Sequence, residues 1–141
     1  MPWKDFKVPY KMILDMLKSK GIKVFHRKLK KDVGGLYNPT NTNISISKDL
    51  KNTESGCYTL LHEFAHWSQH REGKFKLFFS DNFEYTEENF NLILEAEMDA
   101  VKTAKQLLKT FGVTYDPPEL TKSGRKDVIE FWRRYYLGDK N

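Results

Sequence analysis

The chain has 141 residues, of which 39% are apolar, and this size and composition suit one globular domain with its own core. It contains only 8 glycines and 5 prolines, too few for a largely disordered chain. No apolar run approaches the roughly 18 residues of a membrane-spanning helix, so no membrane association is expected.

The formal net charge of +5 comes from basic residues that are unevenly placed. One stretch without any acid contains Lys18, Lys20, Lys23, Arg27, Lys28, Lys30 and Lys31, and a second group contains Lys122, Arg125, Lys126, Arg133 and Arg134. Such groups can bind nucleic acid or another acidic partner. The simpler interpretation is the solvated surface of a lysine-rich chain, since no nucleic-acid-binding motif accompanies them.

The N-terminus and the cysteine content bear on the cellular compartment. Residues 1–11 lack the apolar segment of a secretory signal peptide. Cys57 is the single cysteine and therefore cannot form an internal disulfide bond. Both features favour a reducing, cytoplasmic setting.

The first part of the chain predicts one helix and a small sheet. The helix begins at Pro9, a favoured first helical position, and ends before Gly21. Ile22–His26 is predicted as a short strand, whose final histidine is expected to be structural rather than a metal ligand. Segments 34–37 and 44–47 flank a turn rich in Asn, Pro and Thr, which predicts a hairpin. Together these segments predict a small antiparallel sheet of about three strands.

A long apolar segment predicts the central helix, from Cys57 to about residues 70–71, with Asn52 or Thr53 as its N-cap. This segment contains the motif His62-Glu63-Phe64-Ala65-His66. Two histidines four positions apart lie one above the other on a helix, about 5–6 Å apart at Cβ. Both imidazoles can therefore reach the same metal ion.

The glutamate within the motif has a different role from the histidines. Glu63 is turned about 100° from His62 around the helix axis. It therefore stands beside the metal, where it can take a proton from metal-bound water. A chance motif would place two ordinary histidines on a helix, but such a pair would more often be solvated than set in an apolar segment. The motif predicts His62 and His66 as metal ligands and Glu63 as the general base.

The second part of the chain predicts two further helices. Apolar and polar residues alternate over residues 74–79, which is typical of a strand, and the segment is alternatively a flap over the site. A helix capped by Asp81 or Thr86 then runs to Phe111. A last helix covers about Ser123 to Leu137, and its predicted buried side consists of Val128, Phe131, Trp132 and Tyr135.

A zinc site with two histidine ligands and an open position needs one more protein ligand. A third histidine six residues after His66, as in one group of zinc peptidases, is excluded because Glu72 occupies that position. Glu95 is preferred as the third ligand, because Asp99 can then accept a hydrogen bond from the free nitrogen of a ligand histidine. Glu97 is the alternative, because it lies in the apolar stripe of its helix, where an unpaired carboxylate is costly to bury.

These residues resemble known metallopeptidases. The HEFAH motif followed by a helix with Glu95 and Asp99 resembles the gluzincin arrangement of zinc peptidases. The order of helix, strand, hairpin, HExxH helix and glutamate-bearing helix is similar to the ImmA/IrrE metallopeptidase family, over roughly residues 9–110. Residues 60–70, LLHEFAHWSQH, also resemble the zincin domain of ArdC-type antirestriction proteins. The family usually has an alanine immediately before the acidic residue of this helix, and that position is Met98 in this chain.

The resemblance implies a compact, zincin-like α+β domain with one Zn²⁺ per chain. Its implied activity is cleavage of a protein or peptide substrate, in relatives often a DNA-binding regulator, or a role in mobile-element DNA defence. The reaction also needs a donor for the oxyanion, and the candidates are Tyr37, Tyr85 and His70.

The sequence therefore predicts a single α+β domain over residues 1–141 that acts as a zinc-dependent metallopeptidase in the cytoplasm. Two alternatives stay open. The first is a DNA-associated zincin-like domain of the antirestriction or mobile-element type, in which the metal is structural and the basic groups bind nucleic acid. The second is a metal-free interaction module.

Overall fold

The computed structural model of the chain describes residues 5–121 and 124–138. These residues form four α-helices and three β-strands: α1 (Lys7–Ser19), β1 (Val24–Arg27), β2 (Gly35–Asn38), β3 (Asn43–Ser47), α2 (Glu54–Glu72), α3 (Phe90–Thr110) and α4 (Arg125–Leu137). Short 3-10 helices lie at Lys48–Leu50, Glu87–Asn89 and Pro118–Leu120. The predicted α+β class and the predicted order of helices and strands are confirmed.

The three strands form one mixed sheet in the order β1-β3-β2. β2 and β3 pair antiparallel, which confirms the predicted hairpin. β1 pairs parallel with β3, so the prediction of an antiparallel sheet is wrong for this strand. β2 follows β1 in the sequence but lies at the opposite edge of the sheet. β3 lies between them and runs parallel to β1. β3 is the central strand, and its side chains Ile44 and Ile46 are fully buried. Apolar residues of this kind favour a strand that has a neighbour on each side.

α1 begins at Lys7 and contributes Tyr10, Ile13 and Leu17 to the core. Gly21, with a φ of 79°, allows the left-handed turn that ends the helix and leads into β1. The hydroxyl of Tyr10 lies 2.9 Å from Nε2 of His26, so this histidine links β1 to α1.

α2 is the central helix of the fold, and it contacts β2, β3, α1 and α3. The side chain of Thr53 accepts a hydrogen bond from the backbone N–H of Gly56 and caps the helix, as one of the two predicted caps. Gly73, in the left-handed conformation, ends it. Because other elements surround α2, residues on several of its sides are buried, and they include His62, Glu63 and His66.

α3 has one buried side that serves two apolar clusters. Ala104 and Leu108 pack in the main core with α1, the sheet and α2. Ile93, Ala96 and Val101 pack in a second cluster with Trp132 of α4. α3 therefore connects the sheet-bearing half of the molecule to the C-terminal helix.

Several predicted segments differ from the structure. Residues 73–79 form turns rather than a strand, and Phe78 is buried in the second cluster. Trp132 is buried in α4, but Val128 and Phe131 are only partly buried and Tyr135 is 43% exposed. The predicted first residue of the last helix, Ser123, and the basic residue Lys122 lie outside the described residues.

The structure also bears on the expected absence of membrane-spanning segments. In the ranges 5–121 and 124–138, no helix combines the length and the apolar character needed to cross a bilayer.

Candidate metal centre

The contact between α2 and α3 brings together two imidazoles and one carboxylate. Nε2 of His62 lies 3.0 Å from Oε1 of Glu97, and Nε2 of His66 lies 2.7 Å from the same oxygen. The three candidate ligand atoms all lie within 4.8 Å of one another, and all three residues are buried. This cluster can hold a metal ion.

Glu97, rather than Glu95, joins the two histidines, and the preference for Glu95 is corrected accordingly. Glu97 is 4% exposed, whereas Glu95 is an exposed residue. The helical period explains the outcome, because Ile93, Glu97 and Val101 follow one another at intervals of four along the buried side of α3. Glu95 and Asp99 are each two positions from Glu97 and therefore lie about 160° away from it around the helix axis.

Gln69 stands between His66 and Asp99, so the predicted direct contact of Asp99 with a ligand histidine is also corrected. The side-chain amide of Gln69 donates hydrogen bonds of 2.9 Å to Oδ2 of Asp99 and to the carbonyl oxygen of Ala96. Its Oε1 therefore faces Nδ1 of His66, at 2.9 Å. Nδ1 must carry the hydrogen of this bond, which leaves Nε2 as the atom that can bind a metal.

The other two candidate ligands have outer partners of their own. The hydroxyl of Tyr58 donates to Oε2 of Glu119 at 2.9 Å, and its oxygen lies 3.3 Å from Nδ1 of His62. The hydroxyl of Tyr136 donates to Oε2 of Glu97 at 2.6 Å. Each of the three candidate ligands is thus oriented by a separate hydrogen-bonded neighbour, as in metal sites of proteins.

The charges in the cluster compensate one another. Burial alone would raise the pKa of Glu97, but the charges and hydrogen bonds of His66 and His62 hold it well below its usual range. Burial alone would lower the pKa of His66, but the charge and hydrogen bond of Glu97 outweigh it and raise this pKa to about 9. The buried carboxylate therefore needs a positive charge beside it, and a divalent cation meets the same need.

Glu63 stands beside the cluster and not within it. The backbone of Tyr37 in β2 lies near its carboxylate. Burial raises the pKa of Glu63, although the nearby charges of His62 and His66 oppose this shift. A buried carboxylate with a raised pKa, next to a possible metal site, has the properties of a general base.

A cavity of about 320 Å³ opens onto this arrangement. Its lining includes His62, Glu63, His66 and Glu97. The rest of its wall comes from residues 32–37 and from Pro39, Tyr58, Thr59, Phe78, Phe79, Tyr85, Glu119, Phe131, Trp132, Tyr135 and Tyr136. Most of the wall residues are aromatic. The cavity can therefore admit an apolar or aromatic group next to the metal-binding atoms.

The three residues predicted to contact an oxyanion or a substrate lie in different places. Tyr37 and Tyr85 line the cavity, whereas His70 is not among its lining residues. Nδ1 of His70 lies 2.7 Å from the hydroxyl of Tyr37, and its ring stacks on Phe79. His70 can therefore influence the cavity through Tyr37.

Sequence reasoning missed four residues that support the site: Tyr58, Gln69, Glu119 and Tyr136. Gln69 and Tyr58 lie three and four positions from the ligand histidines, so helix geometry alone could have suggested them. Glu119 and Tyr136 come from the C-terminal part of the chain, and no motif marks them.

Comparison of the chain with protein-family models, with curated proteins and with solved structures finds no match. The fold and the geometry of the candidate site therefore carry the functional argument.

Proposed function

We propose that this protein is a zinc-dependent metallopeptidase that hydrolyses a peptide bond in a protein or peptide substrate. The observation that carries the proposal is the convergence of His62, His66 and Glu97, with the buried carboxylate of Glu63 in the lining of the same cavity. The resemblance of the HEFAH segment to gluzincins, including the ImmA/IrrE family, supports the same reaction.

Zinc is the proposed metal because of the type and number of ligands. Two imidazole nitrogens and one carboxylate oxygen match catalytic zinc sites, in which three protein ligands leave a fourth position open. Zinc–ligand distances of about 2.0–2.1 Å would put the ligand atoms of a tetrahedral site roughly 3.3–3.4 Å apart. The distances of 2.7 and 3.0 Å from Oε1 of Glu97 to the two Nε2 atoms need only a small expansion to reach that separation.

The proposed reaction divides the work between the metal and the residues of the cavity. A zinc ion held by His62, His66 and Glu97 would lower the pKa of a coordinated water to about 7 and would polarise the scissile carbonyl group. Glu63 takes the proton from the attacking water and delivers it to the leaving amine. A hydroxyl group of the cavity wall, from Tyr37, Tyr85 or Tyr135, donates a hydrogen bond to the oxyanion.

The first prediction separates the general base from the metal ligands. Glu63→Gln should keep one zinc per chain but lose about 10²–10⁴-fold in cleavage rate, because it removes the proton acceptor alone. His66→Ala should lose the zinc. Metal content is measured by elemental analysis, and cleavage by mass spectrometry of a mixed peptide library. Glu72→Gln, an exposed change at the end of the same helix, is the control and should alter neither quantity.

A Glu63→Gln variant that cleaves the library at the wild-type rate would contradict the proposed mechanism. Wild-type protein without stoichiometric zinc after purification in zinc-containing buffer would favour the metal-free interaction module instead.

A DNA-associated domain is the second candidate function, and one observation favours it. The seven basic residues between positions 18 and 31 are all exposed: Lys18, Lys20, Lys23, Arg27, Lys28, Lys30 and Lys31. In this case the metal would stabilise the fold, and the affinity for DNA would fall as the salt concentration rises. Salt-sensitive DNA binding that persists in Glu63→Gln, together with no cleavage by the wild-type protein, would favour this second function.

A cytoplasmic setting remains part of the proposal. Cys57 is free and fully buried, and burial raises the pKa of its thiol to about 12. The thiol therefore stays protonated and unreactive in the folded protein, and the fold has no need of an oxidising compartment.

A further inference from the structure

The C-terminal part of the chain contacts one of the three candidate ligands directly and a second one through Tyr58. The hydroxyl of Tyr136 in α4 donates to Oε2 of Glu97 at 2.6 Å. Glu119, in the 3-10 helix before α4, accepts the hydroxyl of Tyr58, whose oxygen lies against His62. The hydrogen-bond partners of the third candidate ligand, His66, are Gln69 of α2 and Glu97 of α3. The C-terminal segment is therefore more than a cover for the cavity.

The hydrogen bond from Tyr136 distinguishes the two oxygens of Glu97. Oε2 is occupied by the phenol, while Oε1 faces Nε2 of both His62 and His66. A carboxylate held in this way presents one oxygen to a metal ion. Binding through one oxygen keeps a further position open for water and substrate, as a catalytic zinc site requires.

Packing fixes the place from which Tyr136 donates. Its ring stacks on Tyr85, with ring centres 5.6 Å apart and an angle of 16° between the planes, and it meets Phe78 edge to face. Trp132, one turn earlier in α4, is 6% exposed and lies in the apolar cluster with Phe90 and Ile93 of α3. The hydroxyl therefore reaches Glu97 only when α4 is docked.

We propose that α4 is part of the metal centre, in which Tyr136 fixes Glu97 as a one-oxygen ligand, so that metal binding and docking of α4 stabilise each other. The proposal rests on the proposed metal site and adds a positioning residue and a coupled helix to it. Coupling of this kind is reciprocal, because a docked helix favours the metal by the same factor by which the metal favours docking.

The test removes only the phenolic oxygen. Tyr136→Phe should weaken zinc binding about 10–100-fold, as loss of an outer partner of a metal ligand does. Zinc affinity is measured by competition with a chromophoric chelator, using zinc alone as the ligand. Tyr10→Phe is the matched control, because Tyr10 is a buried tyrosine whose hydroxyl contacts His26 outside the site. It should leave zinc affinity unchanged even if it lowers stability.

Hydrogen–deuterium exchange gives a second readout that needs no variant. Zinc added to the metal-free wild-type protein should slow exchange of the backbone amides of α4, and this protection should be smaller in Tyr136→Phe. Wild-type affinity in Tyr136→Phe, or exchange in α4 that zinc does not change, would overturn the inference. Both results leave the metallopeptidase proposal intact. That proposal fails only if the wild-type protein binds no zinc or if Glu63→Gln retains full activity.

Discussion

Glu97 is the residue on which the candidate site depends most. Burying an unpaired carboxylate costs free energy. Glu97 is only 4% exposed, but it is not unpaired, because His62, His66 and Tyr136 all form hydrogen bonds with its carboxylate. Such a residue is poorly explained by stability alone, since a buried charged group surrounded by partners often stabilises less than an apolar side chain of similar size. Metal binding gives a reason for its place in an otherwise apolar stripe.

A pair of alanine variants tests the assignment of the third ligand. Glu97→Ala should abolish stoichiometric zinc binding, because it removes one of three protein ligands. Glu95→Ala, two positions away on the exposed surface of the same helix, should retain one zinc per chain. Elemental analysis after gel filtration measures both. Loss of zinc from Glu95→Ala, with retention in Glu97→Ala, would reverse the assignment and restore the original preference.

The residues of the site differ in how far the sequence could predict them. His62, Glu63 and His66 lie within five consecutive positions, so helix geometry alone predicts their arrangement. Glu97 is one of two candidates in the sequence, because the pairing of Glu95 with Asp99 favours Glu95 whereas the periodicity of the helix favours Glu97. The role assigned to Asp99 depended on where Gln69 lies in space, which only the packing of α2 against α3 determines.

At the scale of elements, β2 lies close against α2 beside Glu63, the proposed general base. A Cβ atom on Gly35 would lie 2.7 Å from Cγ2 of Thr59 and 3.2 Å from Cγ of Glu63. A contact below 3.0 Å forces neighbouring atoms to move, so glycine is favoured at position 35 because there is no room for a Cβ atom. The backbone conformation of Gly35 does not itself require glycine. This proximity also brings the backbone of Tyr37 near the Glu63 carboxylate.

Gly35→Ala should therefore destabilise the fold by about 1–3 kcal/mol, the usual cost of overpacking. Thr59→Ser removes the methyl group that the new Cβ would strike, and it keeps the hydroxyl that donates to the carbonyl oxygen of Ser55. The double variant Gly35→Ala/Thr59→Ser should accordingly be more stable than the sum of the single effects predicts. Urea unfolding of all four proteins measures the coupling. Strictly additive effects would show that the contact with Thr59 does not limit the approach.

The order of elements was easier to predict than their arrangement in space. Turn residues and alternation along the chain predicted the hairpin of β2 and β3, because that contact is local. The parallel pairing of β1 with β3 joins segments about 20 residues apart, and no local pattern reports it. The lining of the cavity by α4 is likewise a tertiary contact, and an amphipathic pattern alone predicted only that the helix has a buried side.

At the scale of the whole molecule, the candidate metal site ties its two apolar clusters together. His62 and His66 belong to α2, which packs in the main core with α1 and the sheet. Glu97 belongs to α3 and is held from α4, whose residues pack in the second cluster. A metal ion bound by all three residues would therefore link both halves, and its binding free energy would add to the stability of the folded state.

Zinc should thus stabilise the whole molecule against heat. At a zinc concentration 100 times Kd, the expected gain is about 2.7 kcal/mol, which corresponds to a rise in Tm of roughly 10 °C for a domain of this size. Glu63→Gln keeps every proposed ligand and should show the same rise, whereas Glu97→Ala should show none. Differential scanning calorimetry with and without a chelator measures all three proteins. An equal rise in Glu97→Ala and in wild type would mean that zinc binds elsewhere, because the link between α2 and α3 would be missing in that variant.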